Sequence, residues 1–292
     1  LCTQCGKCPL VCPHAAIRAK VYPAELIEHA PAGFKHAAIK GKDFPEGHRV
    51  SYQIAPDDCT GCGLCAEVCP IRDRKDPQRK ALNMVPAEAI HDREQPNWDF
   101  FLGLPEYDRR KLDSSKIKHA MMMQPLFEFS GCCAGCGESP YIKLATQFFG
   151  DRMLIANATG CSSIYGGNLP TTPYTTNPDG RGPTWSNSLF EDNAEFGFGM
   201  RLAVDKQNTQ ARELLTQLAG QIGDELVEGL LNANQTTENA IFAQRERVAA
   251  LKAKLARLEM PAAKQLFTVC DQLVKRSVWV VGGDGWAYDI GY

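Results

Sequence analysis

The sequence has no excess of charge of either sign. Its 292 residues include 32 Lys and Arg against 34 Asp and Glu, so neither a basic surface for nucleic acid nor an acidic tail is indicated. It also lacks an apolar run of membrane-spanning length, and its first residues do not resemble a signal peptide. A chain of this length can form two domains, at least one of them with a sizeable core.

Cysteine, in contrast, is abundant, with 13 residues. A disulfide scaffold is one interpretation of so many cysteines, but such scaffolds are typical of small secreted chains. Here the cysteines cluster at C-x-x-C spacing instead of spreading through loops. This pattern favours metal ligation in a reducing compartment, and we expect that compartment to be the cytoplasm.

Two cysteine groups share the pattern C-x2-C-x2-C-x3-C-P of bacterial ferredoxins. They are Cys2, Cys5, Cys8 and Cys12 before Pro13, and Cys59, Cys62, Cys65 and Cys69 before Pro70. Three cysteines at steps of three wrap one [4Fe–4S] cluster, and the fourth points towards the other cluster. The spacing therefore predicts one cluster on Cys2, Cys5, Cys8 and Cys69, and another on Cys59, Cys62, Cys65 and Cys12. Zinc needs four ligands per site and has no use for the C-x3-C-P ending.

A third C-x-x-C pair lies at Cys133 and Cys136, and Cys161 follows at the end of a predicted strand. These three cysteines could hold part of a further cluster, although a zinc site, a redox pair or buried thiols remain open. Cys132 is adjacent to Cys133 and is therefore a poor co-ligand. Cys270 precedes the last predicted strand, and we expect it to be a buried thiol.

Two apolar segments predict buried strands. One covers residues 152–157, and the other, from Ser277 to Val281, leads directly into Gly282-Gly283-Asp284-Gly285. A strand followed by a glycine-rich loop is typical of ligand sites in open α/β sheets. There the glycines would let the backbone approach a diphosphate, and Asp284 could hold Mg²⁺. An ordinary turn is the alternative for this short pattern.

Leucine and isoleucine periodicity predicts a helical hairpin over about 207–259. The repeating positions are Leu214, Leu218, Ile222, Leu226 and Leu230, then Ile241, Val248, Leu251, Leu255 and Leu258. Thr236 or Thr237 is suited to cap the second helix. The composition further divides the chain into a cysteine-rich region at 1–100, a mixed connection at 101–126 and a second domain from 127. Within that domain, residues 166–193 are rich in turn formers and predict a long ordered loop or a set of turns.

Four segments carry a resemblance to a known family. They are FSGCCAGCGESPY (129–141), ANATGCSS (156–163), LFEDNAEFG (189–197) and GGDGWAYDIG (282–291). Together with the two ferredoxin motifs they resemble pyruvate:ferredoxin (flavodoxin) oxidoreductase. The resemblance implies an α+β ferredoxin-like domain with two [4Fe–4S] clusters, followed by an incomplete α/β thiamine-diphosphate-binding domain with the helical hairpin inserted. Since the family enzyme is much longer, we expect the chain to be an interior piece, inactive alone.

The resemblance also implies the chemistry. Pyruvate is oxidatively decarboxylated on thiamine diphosphate, the acetyl group passes to coenzyme A, and electrons pass through [4Fe–4S] clusters to ferredoxin or flavodoxin. Cys133, Cys136 and Cys161 would hold a proximal cluster whose fourth ligand lies outside this chain, and Asp284, between Gly283 and Gly285, would hold Mg²⁺. Glu138 and Gly160 would lie close to the cofactor.

Cys132 replaces the small residue that is usual in the family. A homodimer is also implied, with no membrane or nucleic-acid partner. Another 2-oxoacid as substrate and a stand-alone electron-transfer module are the alternatives. The Gly283-Asp284-Gly285 loop and the cysteines after residue 130 argue against the second, because a plain ferredoxin needs neither.

Overall fold

The computed structural model describes residues 1–167 and 170–287, which form two compact units. The first unit comprises Leu1–Asp151 and Cys161–Pro183. The second comprises Arg152–Gly160 and the described residues from Thr184 onward. The expected domain boundaries at residues 100 and 126 stay predictions. In the described ranges, no helix is both long and apolar enough to cross a membrane.

Both ferredoxin motifs of the first unit form short helices, and the segment between them forms a sheet. Helix α1 spans Lys7–Val11 and helix α2 spans Leu64–Val68. Strands β1 (Ile17–Pro23), β2 (Ala37–Ala38) and β3 (His48–Ile54) make an antiparallel sheet in the order β1-β3-β2. Ile17 lies opposite Ile54 and Pro23 opposite His48. The insertion between the motifs is therefore an ordered structure that packs beside them.

Four further helices complete the first unit. They are α3 (His91–Gly103), α4 (Ile117–Ala120), α5 (Ser139–Phe149) and α6 (Cys161–Gly166). Trp98 and Phe101 of α3 pack with Tyr22 of β1 in one buried cluster. Met122, which follows α4, packs in a second cluster with Val21 of β1. The mixed connection at 101–126 thus contributes buried side chains to this unit.

A parallel sheet forms the framework of the second unit. Its strands are β4 (Met153–Asn157), β5 (Thr184–Asn187) and β6 (Ser277–Val281), in the order β5-β4-β6. The sequence predicted β4 and β6, but β5 lies within the segment interpreted as a loop. Four residues with two polar termini, Thr184 and Asn187, carry too little periodicity to indicate a strand. Pairing with the buried strand β4 decides the conformation of β5 instead.

Five helices pack together in the second unit. They are α7 (Asn193–Gln217), α8 (Ala219–Ile222), α9 (Asp224–Leu231), α10 (Glu238–Leu255) and α11 (Pro261–Val269). The first arm of the expected hairpin therefore begins earlier, at Asn193, and is interrupted twice, at Leu218 and at Gly223. Gly223, with a φ of 102°, causes the second interruption, because this conformation is incompatible with a helix.

The second arm begins at the predicted cap. The Thr237 hydroxyl oxygen accepts the Ala240 N–H at 3.2 Å. Most of the predicted apolar stripe is buried in one core with Cys270, which is fully buried as expected. Leu214, Leu226 and Leu258 of the stripe are only partly buried and pack against that core, whereas Leu215 and Leu266, which the periodicity did not include, are fully buried in it.

Candidate functional site

The two ferredoxin motifs have nearly the same backbone conformation. Gly6, before α1, has φ 79° and ψ 2°, and Gly63, before α2, has φ 79° and ψ −11°. Gln4 and Gly61, two residues earlier in each motif, are also left-handed, with φ of 63° and 68°. These turns coil the chain so that successive cysteines can face one centre, which is what a cubane cluster requires of its first three ligands.

The fourth cysteine of each motif ends its helix in extended conformation. Cys12 has φ −69° and ψ 116°, and Cys69 has φ −66° and ψ 114°. The proline that follows each of them favours this conformation, because a residue before proline avoids the helical region. The change of direction separates the fourth cysteine from the other three of its own motif.

The electrostatic neighbours of Cys65 support one half of the crossed ligation. The charged neighbours of Cys8 are Cys2, Cys65 and Cys5, and those of Cys65 are Cys12, Cys59 and Cys62. Burial, followed by these charges, raises the pKa of Cys8 and raises that of Cys65 to about 11. Cys12 of the first motif is thus a neighbour of Cys65 in the second, as the crossed assignment requires, whereas the neighbour of Cys8 in the second motif is Cys65. That assignment stays a prediction for the metal-loaded protein.

Residues of the insertion hold the first motif in place. Gln4 is 2% exposed, and its amide donates to the Ala38 carbonyl at 2.7 Å and accepts the Lys40 N–H at 2.8 Å. The Lys40 ammonium donates to the Cys2 carbonyl at 2.6 Å. These bonds offset the cost of a left-handed non-glycine residue, which the second motif avoids by having Gly61. The sequence carries no local signal for this support.

The third cysteine group lies at the start of α5. Burial alone would raise the pKa of Cys136, but the N–H groups of Ser139 and Glu138 and the Ser139 hydroxyl hold it below its ordinary value. A thiol at a helix N-terminus is readily deprotonated and is therefore suited to bind metal. Cys133 is exposed, and its carbonyl accepts the Cys136 N–H at 3.0 Å.

Cys132 is oriented differently from Cys133. Its sulfur accepts a hydrogen bond from the Ser130 hydroxyl at 3.2 Å and lies 3.5 Å from Nδ1 of His14. Burial raises the pKa of Cys132, and Cys136 is among its charged neighbours. Cys132 therefore lies within the same cysteine group, although its side chain is engaged by protein groups.

The third group lies next to the second ferredoxin motif. A side chain at Gly135 would come within 3.9 Å of Cβ of Cys62, so the Cys133–Cys136 loop is in contact range of a predicted cluster ligand. Cys161 begins α6 and is exposed. Its predicted place beside Cys133 and Cys136 stays a prediction.

The predicted cofactor residues lie in two parts of the chain. Glu138 precedes α5, and its carboxylate accepts a hydrogen bond from the buried Tyr165 hydroxyl at 2.7 Å. Asp284 and its two neighbouring glycines follow β6, and Gly160 follows β4. Since parallel strands have their carboxyl ends at one edge of the sheet, Gly160 and Asp284 belong to the same edge.

Hydrogen bonds order this edge of the sheet. The Ala158 N–H donates to the Val281 carbonyl at 2.7 Å, and the Asn193 side chain donates to the same carbonyl at 3.1 Å. Asp284 is exposed, and one carboxylate oxygen accepts the Gly285 N–H at 2.9 Å. Apart from the two neighbouring residues in the chain, no described atom lies within 4 Å of a Cβ placed on Gly283, so a phosphate group can approach the backbone there.

These residues fit the groups that the sequence implies. All 13 cysteines lie in the described residues and none is in a disulfide, so the ligand thiols are available. Within the described part of the chain, no three His, Cys, Asp or Glu side chains could hold one metal ion. A cubane cluster separates its ligands over four irons, and Mg²⁺ is commonly held by one or two carboxylates together with phosphates. Neither group therefore needs a preformed single-ion site.

Comparison with known proteins identifies the first region. Residues 1–72 match the family described as 4Fe-4S dicluster domain. This part of the chain is thus similar to iron–sulfur domains that hold two clusters, the class that the cysteine spacing predicted.

Similarity to known proteins extends over all 292 residues. The chain is 56% identical over 296 aligned residues to a pyruvate-flavodoxin oxidoreductase of Trichormus variabilis and 55% identical over 298 to one of Nostoc sp.. Over its whole length, this chain is similar to pyruvate-flavodoxin oxidoreductases. It is also 44% identical over 298 residues to the pyruvate:ferredoxin oxidoreductase of Moorella thermoacetica. The chain spans 25% of the length of each of these oxidoreductases, and the resemblance predicted from its motifs is confirmed.

Proposed function

We propose that the chain is the electron-transfer region and part of the thiamine diphosphate site of an enzyme that oxidises pyruvate to acetyl-CoA and CO₂. Ferredoxin or flavodoxin is the proposed acceptor. The observation that carries the proposal is the contact range between the Cys133–Cys136 loop and Cys62. It connects a third cysteine site to a two-cluster domain, an arrangement that a stand-alone ferredoxin does not need. The full-length similarity to pyruvate-flavodoxin oxidoreductases supports the same function.

The described residues can perform two tasks in this reaction. The cysteines hold clusters that accept and release single electrons when they are loaded. The contacts suggest an order of electron transfer: from the site of Cys133 and Cys136 to the cluster with Cys62, and then to the cluster with Cys8. Asp284 and Gly283 are suited to hold Mg²⁺ and a diphosphate at the sheet edge, and thiamine diphosphate, when bound, supplies the electron sink for decarboxylation.

The proposal is tested by comparing Asp284→Ala with Asp284→Asn in the complete enzyme. We expect Asp284→Ala to abolish Mg²⁺-dependent thiamine diphosphate binding and pyruvate oxidation, because a metal ligand is lost beside several phosphate charges. Asp284→Asn keeps a weaker oxygen ligand and should bind the cofactor with intermediate affinity. Iron content and the dithionite-reduced spectrum should remain unchanged in both variants. Normal cofactor affinity and turnover in Asp284→Ala would contradict the proposal and favour a pure electron-transfer module.

A further inference from the structure

Helices α1 and α2, which carry Cys8 and Cys65, each have a lysine ammonium bound to backbone carbonyls near the C-terminal end. The Lys143 ammonium, from α5, donates to the carbonyls of Pro9, Leu10 and Cys12, the last two at 3.1 and 3.0 Å. The Lys80 ammonium donates to the carbonyls of Ala66 and Glu67 at 2.7 and 3.2 Å. Ala66 and Glu67 of α2 correspond to Pro9 and Leu10 of α1 in the aligned motifs. The local two-fold repeat of the motifs thus extends to a cation at the end of each helix.

The surroundings of the two lysines are different. Lys143 is 2% exposed, and its three N–H groups match three carbonyl acceptors, which satisfies all donors of an ammonium group. In the described ranges no carboxylate forms an ion pair with it. Lys80 is more accessible, with 14% of its side chain exposed, and its nitrogen lies 3.7 Å from the Glu67 carboxylate. The charge of Lys80 is therefore partly compensated, whereas that of Lys143 is not.

Lys143 keeps its charge in spite of its burial. Three carbonyl oxygens accept hydrogen bonds from its nitrogen. Only the ammonium form provides three N–H donors, because a neutral amine has two. A buried charge acts through a low effective dielectric constant, so its interaction with a nearby cluster is stronger than that of an exposed charge.

Reduction adds one negative charge to an iron–sulfur cluster, and net charge and solvent exposure are among the factors that set its potential. We propose that Lys143 raises the reduction potential of the cluster ligated by Cys12 above that of the cluster ligated by Cys69. This inference rests on the proposed function. It assigns the higher potential to the cluster that lies beside the Cys133–Cys136 loop. Lys143 does not ligate iron and is therefore a positioning residue. It acts through the positive charge of its ammonium group, which lies beside the Cys12 carbonyl.

Redox titration of the anaerobically reconstituted chain, followed by paramagnetic resonance, tests the inference. Lys143→Gln keeps a hydrogen-bond donor but removes the charge, and Lys80→Gln is its matched control. We expect Lys143→Gln to lower the equilibrium constant for reduction of the Cys12 cluster at least tenfold. This corresponds to a decrease of about 59 mV in the potential of a one-electron couple. Lys80→Gln should cause a smaller change, on the Cys69 cluster. Lys143→Arg, which retains the charge, should restore most of the wild-type potential.

The outcomes separate the inference from the proposed function. Failure of the wild-type chain to assemble iron–sulfur clusters would overturn the proposed function itself. Assembled clusters with equal shifts in the two glutamine variants, or with no shift in Lys143→Gln, would overturn only the role of Lys143. If Lys143→Gln does not fold, Cys12→Ser decides: it should perturb the resonance of the cluster that the wild-type chain reduces at the higher potential. Perturbation of the lower-potential cluster would refute the inference.

Discussion

Gly6 and Gly63 permit a matched test of what supports each ferredoxin motif. Both are left-handed with the same φ of 79°. A Cβ on Gly6 would lie 3.2 Å from the Ile117 carbonyl oxygen and 3.3 Å from Cα of Lys118, whereas a Cβ on Gly63 would have no described atom within 4 Å. Alanine at either position therefore has the same backbone cost, but only Gly6→Ala also crowds the backbone of α4.

The two costs can be added from known magnitudes. A left-handed conformation costs an L-residue roughly 1–2 kcal/mol, and overpacking a close contact costs typically about 1–3 kcal/mol. We therefore expect Gly63→Ala to lower the free energy of unfolding by about 1–2 kcal/mol and Gly6→Ala to lower it by about 2–5 kcal/mol. With a urea dependence of about 2 kcal/mol per molar, the unfolding midpoint should fall by about 0.5–1 M and about 1–2.5 M, respectively.

Urea unfolding of the three proteins, followed by circular dichroism and by cluster absorbance, measures these shifts. Gly47→Ala serves as a further control, because Gly47 has a φ of 80° and an open environment outside the cysteine motifs. Its midpoint should move with that of Gly63→Ala. Equal shifts for Gly6→Ala and Gly63→Ala would refute the reasoning, since packing against α4 would then contribute nothing.

Two further predictions concern ligand exchange and acid stability. Cys69→Ser should perturb the resonance of the cluster that Cys8→Ser perturbs, because the fourth cysteine ligates the other cluster; paramagnetic resonance that groups Cys69→Ser with Cys62→Ser instead would show uncrossed ligation. His119 accepts the Asp113 N–H at 2.9 Å through Nδ1, and burial lowers its pKa below the ordinary 6.5. The unfolded chain therefore binds this proton at higher pH than the folded protein, so the stability should fall as the pH drops below about 6.5. His119→Gln, which can still accept that N–H, should lose less stability between pH 7 and pH 5 in urea titrations, and an identical loss would exclude His119 as the cause.

Short sequence patterns were sufficient to predict those elements whose defining residues lie close together in the chain. The eight ferredoxin cysteines lie in two motifs of twelve residues or fewer, so ligand type, turn and helix end are all encoded nearby. The same holds for strand β6 with the Gly283-Asp284-Gly285 loop, for the Thr237 cap and for the leucine stripe of the helical core. In each case a periodicity or a short pattern carries the information.

Tertiary structure alone decided the contacts between distant segments. Lys143 reaches the carbonyl of Cys12 across 131 residues, and Gln4 is held by Lys40. A lone lysine in an amphipathic helix predicts a solvated side chain, and only the packing of α5 against α1 makes it a buried cation. Strand β5 and the approach of the Cys133–Cys136 loop to the second motif have the same origin. Their energies come from pairing and burial that exist only once the chain has folded, and no local pattern in the sequence represents them.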